Sequence, residues 1–505
     1  MSDLVYASRA VIPTSSITPT VQAIRVLGCD SSGDGGGADY KHGSSSGPMA
    51  IQDANGQWWE LANPTQESVL AFGASTSAPD NSAAFTRAAT TGVINAPAGN
   101  FQFTNSINSD RELTFRGAGK ALTRLHWTGS SDGLRHQQNG THGQGDFMLK
   151  GVQLFADQSG PNVGIRITMD HNRGNVIIDD VGISGSRWEW NWQHYMVMRG
   201  CTHTMMTNCD LSKGAPTDSN ILDTIVQDGI LIYSSHSHDL DNQPGSADGS
   251  YVNLFVDCSI SAVQHAVHVI LDGTPGNSGT VEGVQFFNCG GDTVRSSWFR
   301  LENTSGGSWA PPYYLFDSCN MEAPGSLIDV DGVSEFHMTR CLMYQSAYNS
   351  GPVANFIDFG NNGIGCHGIN MHDNHFTMYD GARSASIISV NGNADRVNIR
   401  DNVFEFQSFG SLGGAGIWIN SPANYICRDN RYVNFASTTK EVLPNNNADH
   451  YSRGELTLSL NGQPAGGETG MTLLLNKTGS PILAKVKVGP TGSAGSGRRA
   501  LYIDN

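Results

Sequence analysis

Charge is scarce in this chain of 505 residues: Asp, Glu, Lys and Arg make up 15%, and Lys plus Arg number 30 against 46 acidic residues. The net charge of −16 argues against a nucleic-acid partner, because phosphate binding needs a basic surface. No stretch approaches the roughly 18 uninterrupted apolar residues of a membrane span, so no membrane insertion is expected. The opening MSDLVYASRA lacks the basic segment and apolar run of a secretory signal, and a soluble protein not exported by that route is expected. Nine cysteines are an odd number in a chain far too long to depend on disulfides. What the chain has in excess is glycine, 60 residues against a usual share of about 7%, beside 38% hydrophobic residues, too many for disorder.

That length and turn-rich composition direct attention to internal repeats. A string of alternating apolar residues followed by Asp, Asn or Gly and then often Cys or Asn recurs as LTFRGA, FMLKGV, VIIDDV, TMMTNC, NLFVDC, VQFFNC, YLFDSC, FHMTRC, INMHDN, VNIRDN and YICRDN. These strings end at Ala118, Val152, Val181, Cys209, Cys258, Cys289, Cys319, Cys341, Asn374, Asn402 and Asn430. A unit of about 30 residues with short alternating strands is the pattern of a parallel β-helix, in which equivalent residues stack about 4.8 Å apart. The Cys column then reads as an internal stack of small reduced thiols, with disulfides geometrically open, and continues as an internal ladder of Asn amides.

A second strand falls in each unit: GIRIT, YMVMR, GILIY, AVHVI, WFRLE, LIDVD, FIDFG, IISVN and GIWIN. Alternation sends the central side chain outward, giving the column Arg166, Val197, Leu231, His268, Arg300, Asp329, Asp358, Ser389 and Trp418. Two residues on, the adjacent column includes Thr168, Arg199, Tyr233, Ile270, Glu302 and Asp331. Residues 1–66 read as a small β module. The stretch PDNSAAFTRAAT reads as a helix capped by Asp80 or Asn81 that covers the open end of the stack, which runs over 67–452. Residues 453–505 read as a terminal β domain. The glycines 35–37 are not a phosphate loop, since no Lys-Ser or Lys-Thr follows.

The N-terminal β module, the capping helix leading into VINAPAGNFQF, the long stack and the β C-terminus together resemble bacteriophage tailspike depolymerases of the pectate-lyase-like right-handed parallel β-helix superfamily. The resemblance implies an all-β fold, a homotrimer, and attachment to the phage tail or an adaptor protein through the N-terminal module. It also implies location in the virion tail, synthesis in the host cytoplasm, and binding or cleavage of a host surface polysaccharide.

Glycoside hydrolysis needs two carboxylates, and the outward columns supply Glu302, Asp329, Asp331 and Asp358 beside Arg300. At one coil spacing two like charges repel by about 3.5 kcal/mol at an effective dielectric of 20, so a proton, a cation or Arg300 must offset the cost. A shared proton raises one carboxyl, as a general acid requires. Glu302 or Asp329 is therefore the expected acid, Asp331 the base, and Asp358 and Arg300 tuning or sugar-binding groups. Surface carboxylates without a catalytic role give the same pattern. His268, in the column of Arg300, and Tyr233 are further substrate-binding candidates. In SRWEWNWQHY an extended chain would put Trp188, Trp190 and Trp192 on one face as a sugar platform, or against a neighbouring surface. No cofactor is required; Ca²⁺ enters only for the alternative of a polysaccharide lyase, with Arg300 or His268 as base. His236, His238, Asp239 and Asp241 fit no established metal-ligand spacing. A noncatalytic receptor-binding spike is the remaining alternative.

Overall fold

Strand alternation and left-handed corners together wind the chain. In the computed structural model the described residues are 4–453 apart from 139–144, 159, 170–173, 188–189, 213–225, 235–249, 272–279, 304–309, 324, 346–354, 361–363, 379–385, 393, 411–414, 421–423, 436–440 and 444–450, together with 469–477, 480–488 and 503–504. The recurring strings are strands that pair in parallel with the next coil, as Val284–Phe287 pairs with Tyr314–Asp317 and that strand with Phe336–Thr339. Their alternate side chains fill the interior. Phe255, Phe286 and Phe316 stack with ring centroids 4.9 Å apart at each step, which is one coil spacing.

The residue that precedes each Cys or Asn of the column adopts the left-handed region: Asn208, Asp257, Asn288, Ser318, Arg340, Asp373, Asp401 and Asp429 have φ between 50° and 58°. Asn and Asp tolerate that region better than other residues with a side chain, which explains the recurring acidic or amide residue. There the chain turns into the next short strand, and the following Cys or Asn lies buried. All nine cysteines are free and buried. Their thiols face backbone carbonyls, as Cys289 Sγ does to Phe255 O at 3.4 Å. In the amide section, Asn374 Nδ2 donates to Asn402 Oδ1 at 3.0 Å and Asn402 Nδ2 donates to Asn430 Oδ1 at 3.1 Å. The same oxygens accept the backbone N–H of Asn374 at 3.1 Å and of Asn402 at 3.2 Å.

The second strands form a twelve-stranded sheet, one strand per coil, from Ile107–Ser109 to Glu441–Val442. The pairing runs Arg166, Val197, Leu231, His268, Arg300, Asp329, Asp358, Ser389, Trp418 in register, as the sequence pattern predicts. The twelve strands are three more than the nine that stand out in the sequence: Ile107–Ser109, Leu134–Gln137 and Glu441–Val442 are short or rich in polar residues.

Outward-facing does not mean exposed. Arg166, Val197, Leu231, Asp358 and Ser389 are buried, and Val163, Val197, Leu231, Tyr233 and Ile270 make a second apolar cluster apart from the main core. Of this column His268, Arg300 and Asp329 are half-buried and Trp418 is exposed.

At the N-terminal end a five-stranded sheet runs in the order Leu4–Tyr6, Ala23–Val26, Ala38–His42, Trp58–Leu61, Ile51–Gln52 around buried Trp59 and Tyr40. The helix Ser82–Ala89 follows, with Phe85 packed on Phe101, Phe103 and Phe115 of the first coils. Asp80, rather than Asn81, closes its N-terminus by accepting from Ser82 N at 2.9 Å and Thr104 N at 3.1 Å. Past the stack, Thr469–Lys477, Ser480–Val488 and Ile503–Asp504 form an antiparallel sheet. Among the described residues no helix is long and apolar enough to cross a membrane.

Candidate active site

Parallel pairing brings the acidic residues of three coils together. Arg300 pairs with Asp329 and Asp329 with Asp358, so three charged side chains share one column about 4.8 Å apart. Arg300 Nη2 contacts Glu302 Oε1 in a tight ion pair, two residues along the same strand, Ser297–Asn303. Asp331 lies just beyond the short strand Ile328–Val330, its N–H donating to Leu301 O at 2.9 Å, and is buried.

Environment separates the carboxyls. Burial pushes the Asp329 carboxyl above the usual range, Arg300 opposes this, and the charges of Asp358 and Glu302 add to it. Glu302 moves the other way: the nearby His268 imidazole and the Arg300 charge hold it below the usual range against the cost of burial. Asp358 is fixed by amides, with Asn355 Nδ2 at 2.9 Å and Asn391 Nδ2 at 3.1 Å. One carboxyl shifted upward beside one shifted downward is the kind of asymmetry that acid–base chemistry uses. Of the two, Asp329 is shifted toward holding its proton and Glu302 away from it.

His268 is not a lone surface residue. Its Nδ1 lies 3.0 Å from Asp228 Oδ1 and its Nε2 3.6 Å from Glu302 Oε1. Asp228 in turn meets His194 Nδ1 at 2.9 Å, and His265 beside it contacts Ser297 Oγ at 2.7 Å. Sequence reasoning missed Asp228, His194 and His265. The only available signal was a polar residue in each of the strands HYMVMR, VQDGILIY and VQHAVHVIL, and these line up only after stacking: His194 with Asp228, Asp228 with His265.

Among the described residues, Asp228, His265 and His268 are the one group of three or more His, Cys, Asp or Glu side chains whose donor atoms converge, all within 4.8 Å. The four carboxylates of the columns form no such oxygen cage, and two imidazoles suit Ca²⁺ poorly, since that ion takes oxygen ligands.

The tryptophan reading needs correction. Arg187 makes an antiparallel bridge to Trp190, and Trp190 and Trp192 do not form a common exposed face. Trp192 is buried in the core against Trp127, centroids 5.6 Å apart, with Nε1 donating to Ser184 O at 3.2 Å. Trp190 is half-buried under the Arg187 guanidinium, 4.5 Å from the ring centroid, and Trp188 lies outside the described residues. Tyr233 is likewise sealed in the second apolar cluster and offers no surface to a ligand. The histidines and aspartates of 236–241 lie outside the described residues. The one aromatic ring of the outward column is Trp418, three coils beyond Asp329 and 42% exposed.

No family model matches the sequence, and no curated protein matches it. Solved structures do share the fold. The chain is similar to the tailspike protein gp49 of Acinetobacter baumannii bacteriophage Fri1, a capsular polysaccharide depolymerase, with TM-score 0.53 at 12% identity, over 100% of this chain and 92% of that one. It is also similar to PfbA, a surface adhesin of Streptococcus pneumoniae, with TM-score 0.50 at 10% identity, over 82% of this chain and 99% of that one. At such identities the likeness is one of fold.

Proposed function

We propose that the chain is a tailspike that binds a host surface polysaccharide and cleaves it by endoglycosidic hydrolysis in the lower half of the twelve-stranded sheet. The observation that carries this reading is the opposite displacement of two neighbouring carboxyls, Asp329 upward and Glu302 downward. Asp329 donates its proton to the leaving glycosidic oxygen. Glu302 is the ionised partner that activates water or faces the positive charge developing on the sugar. Asp331 is the second candidate for the base. Arg300 and Asp358 hold Asp329 between them, and Trp418 offers a flat apolar face on which a sugar ring stacks.

The likeness to a phage capsular polysaccharide depolymerase supports a polysaccharide substrate and a place in the virion tail; attachment to a tail or adaptor protein through the N-terminal sheet and a homotrimeric assembly are part of the same proposal. A binding spike without chemistry is a second reading, supported by the likeness to an adhesin.

Incubation with capsular polysaccharide or lipopolysaccharide, followed by sizing of the products, decides between them. Hydrolysis yields shortened chains with new reducing ends, unaffected by EDTA and without ultraviolet absorbance. An unsaturated, absorbing product lost on chelation identifies a lyase, and bound but intact polymer identifies the binding spike.

A further inference from the structure

A polar network extends from the candidate site back over the coils on its N-terminal side, where the outer face is otherwise sealed. His194, Asp228 and His265 occupy matching positions of successive strands, and all three are buried. A buried carboxylate without partners is costly, and Asp228 has two, with His194 Nδ1 at 2.9 Å and His268 Nδ1 at 3.0 Å. The arrangement leaves His268 between two carboxylates, with Nε2 3.6 Å from Glu302. Nothing in the acid–base pair itself requires this extension.

We infer that Asp228 is a positioning residue: from its buried place it fixes the ring of His268, and through that ring the carboxylate of Glu302. This rests on the hydrolytic reading above. An imidazole whose Nδ1 is engaged by a carboxylate has its tautomer and ring plane set, so Nε2–H is presented to Glu302. Burial alone lowers the affinity of His268 for its proton, and the Asp228 carboxylate that accepts from Nδ1, together with the nearby charge of Glu302, more than reverses this. The other charged or titratable groups around His268 are His265 on its own strand, ring centroids 5.0 Å apart, Arg300 on the next strand, Asp329 one coil further and His194 behind Asp228. Arg300 disfavours a second positive charge at His268, so removing Asp228 shifts the balance toward the neutral ring. Glu302 then loses its charged donor and keeps only Arg300.

The test is the Asp228→Asn variant, which keeps size and shape, compared with the wild type and with His268→Gln at a partly exposed position. Histidine-labelled protein followed by NMR reports the titration of His268 whether or not the protein is active. In Asp228→Asn its midpoint is expected to fall by about one pH unit or more. With polysaccharide substrate, kcat is expected to fall about 10- to 100-fold in each variant with little change in KM, and the double variant to fall no further than either single one. The acid limb of the kcat profile moves to higher pH as Glu302 protonates more readily.

An unshifted His268 midpoint in a folded Asp228→Asn protein overturns the inference. So does one tightly bound transition metal per chain in the purified wild type, since Asp228 would then be a ligand. A wild type that leaves polysaccharide intact refutes the hydrolytic reading instead, and the NMR titration still decides whether Asp228 governs His268.

Discussion

Two polar columns run along neighbouring coils of the stack, and they meet burial in different ways. At the inner corners Asn374, Asn402 and Asn430 are neutral, and each amide supplies what its neighbour needs. On the outer face Arg300, Asp329 and Asp358 carry formal charge at the same spacing, where like groups repel. The inner column repeats one residue type and is self-satisfying. The outer column mixes types, and burial together with the charges of Asp358 and Glu302 shifts its member Asp329 toward the protonated form. A ladder that only stabilises is uniform, and one suited to proton transfer is uneven.

The sharpest way to break the comparison is Asp329→Asn. Removal of the proposed proton donor is expected to lower kcat about 10²- to 10⁴-fold, measured by release of reducing ends. Its sign on stability is opposite to that of an ordinary deletion. A group whose folded pKa is raised is most favourable below its unfolded pKa and loses ground as pH rises through the folded value. The neutral amide is therefore expected to leave the protein at least as resistant to urea at pH 7.

Asn402→Ala attacks the other column. It removes the acceptor used by Asn374 Nδ2 and N and the donor to Asn430 Oδ1 and Met371 O. At about 1–3 kcal/mol for each buried group left unpaired, a loss of several kcal/mol is expected in denaturant titration, with kcat unchanged at temperatures where the variant is folded.

Acidification distinguishes the columns without mutation. Asp228, held well below the usual carboxylate range by its two imidazole partners against the cost of burial, contributes stability that is present above about pH 4 and drains away as pH falls toward its folded value. Asp80, held near about 2 despite burial by the donors from Ser82 and Thr104, behaves in the same direction. The amide column does not titrate. Urea midpoints measured from pH 7 to pH 3 are expected to fall in the wild type, and less steeply in Asp228→Asn.

The smallest effect is expected within the inner column itself. The thiol section lacks strong hydrogen bonds, so Cys289→Ala should cost only about 1–2 kcal/mol, from lost packing, against the larger loss at Asn402.

The inner column was legible in the sequence because one residue type recurs after a fixed strand pattern, and its cause, a left-handed corner, is local. The outward register from Arg166 to Trp418 was legible for the same reason: alternation is set strand by strand. What could not be read was long-range. The burial of Tyr233 depends on what covers the outer face, and the inward turn of Trp192 on the bridge between Arg187 and Trp190. Asp228 meets His268 across forty residues of chain, in a ladder that skips from the His194–Asp228 pair to the Met196–Ile230 pair. Glu302 and Asp329 were interchangeable by position alone, and their opposite shifts come only from their surroundings.

The left-handed corner has one more consequence. Because each corner fixes which residue of a coil turns inward, a one-residue slip in stacking would turn an Asn or Cys outward and press an Asp or Arg into the interior. Every coil thus proofreads the one before it, and a chain this repetitive can still assemble in a single alignment.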